Sequence, residues 1–104
     1  MDGRRVDRAA AERLGQNVLM ARRRAGFSQE ELGAMASLHR TEIGFVESGQ
    51  RLPRVDTLIK LASALGVGAA ELLDGVEWII PAPTRPGSFA VAPHRPEGSA
   101  IHAS

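Results

Sequence analysis

The sequence holds no cysteine and a single lysine, and each scarcity excludes something. Without cysteine there can be no disulfide, no thiolate nucleophile and no cysteine-based metal site, and such a chain suits a reducing compartment. The three histidines, His39, His94 and His102, share no ligand spacing, so no structural zinc, and no metal or cofactor of any kind, is expected. No apolar run approaches the ~20 residues needed to cross a bilayer. The stretch from Met1 to Arg8 is polar, with no apolar signal-peptide core after it, so the expected location is the cytoplasm. Catalytic constellations are missing too: no Ser-His-acid set, no paired carboxylates, no glycine-rich phosphate loop. Glu30 and Glu31 are explained by helix capping and a solvated face, and an enzyme is not expected.

The lone lysine is informative because positive charge itself is not scarce: 12 arginines stand beside it, in a chain of 104 residues and net charge +1. Arginine presents a rigid fork of donors suited to phosphate and carboxylate, whereas lysine is a mobile point charge. A GC-rich genome would produce the same count, so position has to decide. Residues 1–60 carry a net of +3 and residues 61–104 a net of −2. A basic front and a mildly acidic rear suit a module that meets a polyanion with one end. Proline divides the chain in the same sense. Five of six prolines fall at positions 81, 83, 86, 93 and 96, which ends any helical body before them. The length allows one small domain with a tail.

Five helices are expected ahead of the prolines. The first runs from Asp7, a plausible N-cap, to Ala25, with Leu14, Val18, Ala21 and Ala25 on one stripe and Gly26 as its stop. Ser28-Gln29-Glu30-Glu31 is a capping box, with Phe27 and Leu32 at the staple positions, and opens a short second helix whose Leu32, Met35 and Ala36 face inward. A third helix spans His39 to Ser48, with Ile43 and Val46 inward and Gly49 as its stop. A fourth spans Asp56 to Leu65, with Leu58, Leu61, Ala62 and Leu65 at i, i+3, i+4 and i+7. Ala69 to Leu73 makes the fifth.

Two short helices joined by about three residues form a helix-turn-helix, whose second helix enters the DNA major groove. From Arg22 to Leu73 the chain resembles the phage repressor/Cro-type (XRE) helix-turn-helix family. The match rests on Arg22 four residues before Gly26, Ser28-Gln29-Glu30-Glu31-Leu32, Ala36, Leu38, Ile43 and Val46-Glu47-x-Gly49. It continues through Pro53, Leu58, Leu61-Ala62, Leu65-Gly66 and Leu72-Leu73. The resemblance implies an all-α, five-helix, repressor-like DNA-binding domain, placed over residues 7–75 with the helix-turn-helix motif at about 28–48; the residue pattern adds a short β or irregular extension behind it. It also implies a sequence-specific transcriptional regulator of double-stranded DNA, a repressor by preference, associated with the nucleoid when bound.

The family's roles carry over by residue. Gln29 resembles a glutamine whose amide donates to a DNA phosphate and also buttresses the recognition helix. Arg40, Thr41 and Phe45, with His39 at the helix start, occupy positions facing base edges, and helical geometry alone puts 40, 41, 44, 45 and 48 opposite 43 and 46. Ser48, Gln50 and Arg51 match positions that contact the backbone, which set register while base contacts set sequence preference. Arg40 is the candidate for guanine readout; the alternative is a pairing with phosphate or with Glu42. Phe45 either presses on a thymine methyl or folds back onto Leu38 and the second helix. Arg22 and Glu47 resemble a structural ion pair that orients the recognition helix. Arg23 and Arg24 belong to the solvated face or lie near phosphate.

Three positions depart from the family pattern. Ser37 replaces the usual turn glycine, His39 replaces the usual Ser or Thr cap and is expected to leave the third helix with less N-terminal support, and Gly44 puts a weak helix former mid-helix.

Behind the helices, Val76 to Ile80 and Ser88 to Ala92 read as two strands joined by the Pro81 to Gly87 loop. A lone hairpin is marginal, so residues 76–92 are expected to dock on the helices or pair with another chain, with Trp78 as the anchor. A homodimer through this segment, reading half-sites ~34 Å apart, is the leading expectation. An antitoxin-like interaction protein, binding a partner through 76–92 and DNA through its helices, is the alternative. Residues 93–104 read as disordered.

Overall fold

The computed structural model describes residues 7–93, to which every structural statement below refers. Five helices, α1 (Arg8–Ala25), α2 (Gln29–Ala36), α3 (Arg40–Glu47), α4 (Val55–Leu65) and α5 (Ala69–Leu72), precede two strands, β1 (Val76–Ile79) and β2 (Ser88–Val91). The helix boundaries follow local chemistry. Asp7 Oδ1 accepts from the Ala10 amide at 3.1 Å to start α1. The capping box closes both ways, Ser28 Oγ accepting from the Glu31 amide at 3.0 Å and Glu31 Oε1 from the Ser28 amide at 2.8 Å. His39 and Ser48, expected inside the third helix, are its caps. The fourth helix starts one residue earlier than expected, and the fifth ends at Leu72.

One apolar cluster joins all five helices: Leu14, Val18 and Ala21 of α1, Leu32 and Ala36 of α2, Ile43 and Val46 of α3, four residues of α4, and Leu72. Fully burying a side chain such as Leu61 or Ile43 contributes roughly 1.5–3 kcal/mol, so these few side chains hold the domain. Two expected inward residues are not in it. Ala25 is exposed because the chain reverses at Gly26, and Phe27 packs against the cluster instead. Met35 is 54% exposed because the buried arc of α2 is filled by Leu32, Ala36 and Gly33, which leaves position 35 on the flank.

Close approaches without side chains set the helix-turn-helix geometry. At Gly33 an added Cβ would sit 2.5 Å from the Leu38 carbonyl oxygen, so the chain entering α3 runs directly against α2. At Gly15 a Cβ would overlap the Val46 carbonyl and lie 2.7 Å from that of Glu47, so α1 touches the backbone at the end of α3. Between α2 and α3, Ser37 takes the left-handed conformation, φ 57° and ψ 45°, as the turn demands.

The strands form an antiparallel hairpin, Val76 opposite Val91 and Trp78 opposite Phe89. Its root is fixed to α1. The buried Asn17 Nδ2 donates to the carbonyls of Leu72 and Asp74, both at 3.0 Å, and Arg13 Nη1 donates to that of Ala92 at 2.5 Å. Trp78 does not anchor the hairpin on the helices: it is 55% exposed, edge-on to Phe89 with ring centroids 5.1 Å apart. The backbone carbonyls at the hairpin root, which α1 can hold with polar side chains, do the anchoring instead. The expectation of disorder falls, apart from Pro93, on residues 94–104, outside those described.

Candidate nucleic-acid interface

The third helix is held from behind by a polar cluster. Arg22 on α1 meets Glu47 at the end of α3 through two parallel bonds, Nε to Oε2 at 2.6 Å and Nη2 to Oε1 at 3.0 Å. Both side chains are largely removed from solvent, 13% and 6% exposed. The remaining Arg22 nitrogen, Nη1, donates to the Phe27 carbonyl at 2.9 Å. A buried carboxylate needs compensation, and a guanidinium fork satisfies both its oxygens at once. Hydrogen bonding to Glu47, reinforced by its charge and opposed by burial, raises the Arg22 pKa above the ordinary guanidinium value. The stability this contributes is therefore complete below the unfolded-state value and is lost only as pH rises through the folded one, in strongly alkaline solution.

Gln29, first residue of α2, joins the same cluster: its Nε2 donates to Glu47 Oε1 at 3.0 Å. An amide nitrogen has two protons, and only one is used here, so Gln29 can buttress α3 and still donate outward. Gly44 lies beside it, with 3.9 Å between an added Cβ and Gln29 Nε2, so the middle of α3 is open on that side.

At the start of α3 the expected loss of support is corrected. His39 caps the helix, its Nδ1 accepting from the Thr41 amide at 3.0 Å. An imidazole nitrogen without its proton is an acceptor like the hydroxyl oxygen it replaces, and the arrangement requires the neutral ring with its proton on Nε2. Arg40 and Thr41 follow, both exposed. The Arg40 guanidinium makes no ion pair among the described residues, so the alternative pairing with Glu42 is not formed.

At the other end of α3 the donors are gathered by local bonds. Ser48 Oγ donates to the Phe45 carbonyl at 3.3 Å and accepts from Gln50 Nε2 at 3.0 Å. Phe45 is half-buried, and the Arg51 guanidinium carbon lies 4.4 Å from its ring centroid, a contact that neither of its two expected roles included. A cation over an aromatic face is attracted to it. The ring thus gives Arg51 a platform at the exit of the helix. This stack joins residues six apart, across the end of the helix, and helical periodicity cannot reveal it. Arg24, by contrast, pairs with Glu71 at 2.8 Å on the exposed surface.

Gln29, His39, Arg40, Thr41, Phe45, Ser48, Gln50 and Arg51 therefore all sit on or beside α3, while the pair of Arg22 with Glu47, the last residue of α3, lies on its inner side. Among the described residues there is no group of three or more His, Cys, Asp or Glu that could hold a metal ion. No described helix is long and apolar enough to cross a membrane.

Comparison with known proteins bears on this arrangement. A helix-turn-helix family model, HTH_3, matches residues 18–72. The control protein C.SmaI of Serratia marcescens is 44% identical over 62 residues, 60% of this chain and 74% of that protein. The restriction-modification controller protein C.AhdI from Aeromonas hydrophila has a similar structure, with TM-score 0.58 and 37% identity over 60% of this chain and 94% of that one. The P22 c2 repressor protein, solved in complex with a synthetic operator, has TM-score 0.57 and 26% identity, again over 60% of this chain and 94% of that one.

Proposed function

Because the chain belongs to the helix-turn-helix family and is a DNA-binding transcriptional regulator, we propose that it represses transcription by occupying an operator with α3 in the major groove. Residues 7–75 are the DNA-binding module in this reading, and it has no catalytic role. Its place of action is the cytoplasm, on the nucleoid when bound.

The observation that carries the reading is the division of charge around α3. Arg22 is used internally to fix Glu47, while Arg40 and Arg51, at the two ends of the outward face, have no acidic partner among the described residues. Arg40 is the residue for base readout, its fork matched to O6 and N7 of one guanine. Arg51, Gln50, Ser48 and the second Gln29 proton suit phosphate oxygens, which fix register. His39 supports the helix start and Thr41 lies beside Arg40 on the groove-facing surface. Phe45 positions Arg51. With so few cations per copy, two copies on two half-sites about one helical turn, ~34 Å, apart are the arrangement that yields useful affinity.

Selection of bound sequences from random duplex DNA tests this, followed by affinity measured across a salt series. A two-fold symmetric motif and an affinity that falls steeply with salt are expected, since each neutralised phosphate releases counterions. A salt-independent affinity, or selection without an enriched motif, would overturn it.

A further inference from the structure

The hairpin lies outside the family match, which ends at residue 72, and contributes no side chain to the core cluster. Its strands lie against α1, and its root is fixed there by Arg13 and Asn17. On the face shared by Val76, Trp78, Phe89 and Val91, Val76 is half-buried while the other apolar residues stay in solvent: Trp78 is 55% exposed, Phe89 and Val91 42% each, and Ile80, just past β1, 73%. A two-stranded sheet without further cover is marginal in water. This face is nevertheless built. Phe89 meets the indole of Trp78 edge-on from the opposite strand. On another side the Trp78 ring lies against Gly87, where an added Cβ would come within 2.5 Å of Cζ2. A more than half-exposed tryptophan held in one orientation from two sides has the character of an interface anchor, a large apolar surface whose ordering precedes binding.

We infer that this hairpin face is the dimer interface, and that a second copy of this chain covers it. The inference rests on the two-copy operator reading and adds the surface to it. The flanking residues 1–6 and 94–104 offer little apolar surface as cover. Residues 94–104 contain one large apolar residue, Ile101, and residues 1–6 only Met1 and Val6 among charged neighbours. An indole, a phenyl ring and two branched side chains need more than that. Charge also favours a like partner: residues 76–92 hold one acid, Glu77, and one base, Arg85, so two hairpins meet without net repulsion. At its lower end the face reaches a cleft of about 420 Å³ where Val91 adjoins Glu12 and Arg13 of α1 and Glu47 and Ser48 at the end of α3. A partner seated there touches the helix that reads DNA.

Trp78 is the sole tryptophan and there is no tyrosine, so the intrinsic fluorescence of the full chain reports on this face alone. Dilution of the native protein from tens of micromolar to nanomolar is followed in parallel by tryptophan emission and by sedimentation. The emission is expected to move from blue to red along the same curve on which the mass halves. Trp78→Ala and Phe89→Ala should each weaken self-association about tenfold or more while the helical circular dichroism persists. Emission that stays constant while the mass halves places the dimer on another face, and overturns this inference but not the two-copy reading. A chain that remains single at every concentration and binds two half-sites independently overturns both. Emission that shifts only when a different protein is added also overturns the inference, and makes the hairpin the partner-binding segment of an interaction protein.

Discussion

Arg22 and Glu47 are bound side by side, Nε to Oε2 at 2.6 Å and Nη2 to Oε1 at 3.0 Å, and through that contact α1 is tied to the C-terminal end of α3. Gly15 lies on the same seam, one helix against the last carbonyls of the other. The recognition helix is eight residues long, too short to be stable alone, and owes its placement to these contacts.

Removing one member of the pair is expected to be costly. Glu47→Ala should destabilise by about 3–5 kcal/mol in urea denaturation, because it leaves a buried guanidinium without its partner. Replacing both residues by apolar ones, Arg22→Met with Glu47→Leu, should cost much less than the sum of the single changes. The double variant should still lose DNA affinity, since Gln29 no longer has Glu47 to hold it.

Gly44 separates stability from function. Space exists for a Cβ, whose nearest neighbour would be 3.9 Å away, so Gly44→Ala should stabilise by ~1 kcal/mol through helix propensity. The same methyl lies on the side proposed to face the groove, and DNA affinity should fall. A variant that melts higher and binds as well as the parent would show that α3 does not approach DNA at this point.

Ser37→Gly should raise the melting temperature, with a gain of about 1–2 kcal/mol from relieving a left-handed residue that carries a Cβ. His39→Ser should be close to neutral because it keeps an acceptor for the Thr41 amide, whereas His39→Ala should lose about 0.5–2 kcal/mol. Equal melting temperatures for the two histidine variants would contradict the cap.

The two arginines of the face should behave differently. Arg40→Ala should relax preference at one base position, a loss of about 1–3 kcal/mol on the selected site and little on unrelated DNA. Arg51→Ala should weaken all sequences alike and lower the slope of log affinity against log salt by about one. Phe45→Ala should resemble Arg51→Ala, because it removes the platform beneath that guanidinium.

The five helices were legible because each is set by neighbours in the chain. A capping box, a glycine at a helix end and an apolar repeat of three and four act within one or two turns, and those signals placed the helices to within a residue or two. The Arg22 to Glu47 pair was legible only through a family resemblance, since 25 positions separate its members. Periodicity misplaced Ala25 and Met35, because it gives the angle of a side chain about its helix and not which neighbours lie beside it. It could not show that Gly15 and Gly33 are contact points, that His39 would serve as a cap, or that Phe45 would lie under Arg51. For the hairpin, sequence foresaw two strands and the need for cover. Only the tertiary structure showed that α1 grips their root through backbone carbonyls and leaves Trp78 and Phe89 in solvent.

The sequence by itself thus determined where helices start and stop and which residues share the outward face of α3, because caps, turns and apolar spacing are local interactions of a few residues. Tertiary structure alone decided which cations lack an acidic partner among the described residues and which apolar surface stays exposed, because both depend on what distant segments have already covered.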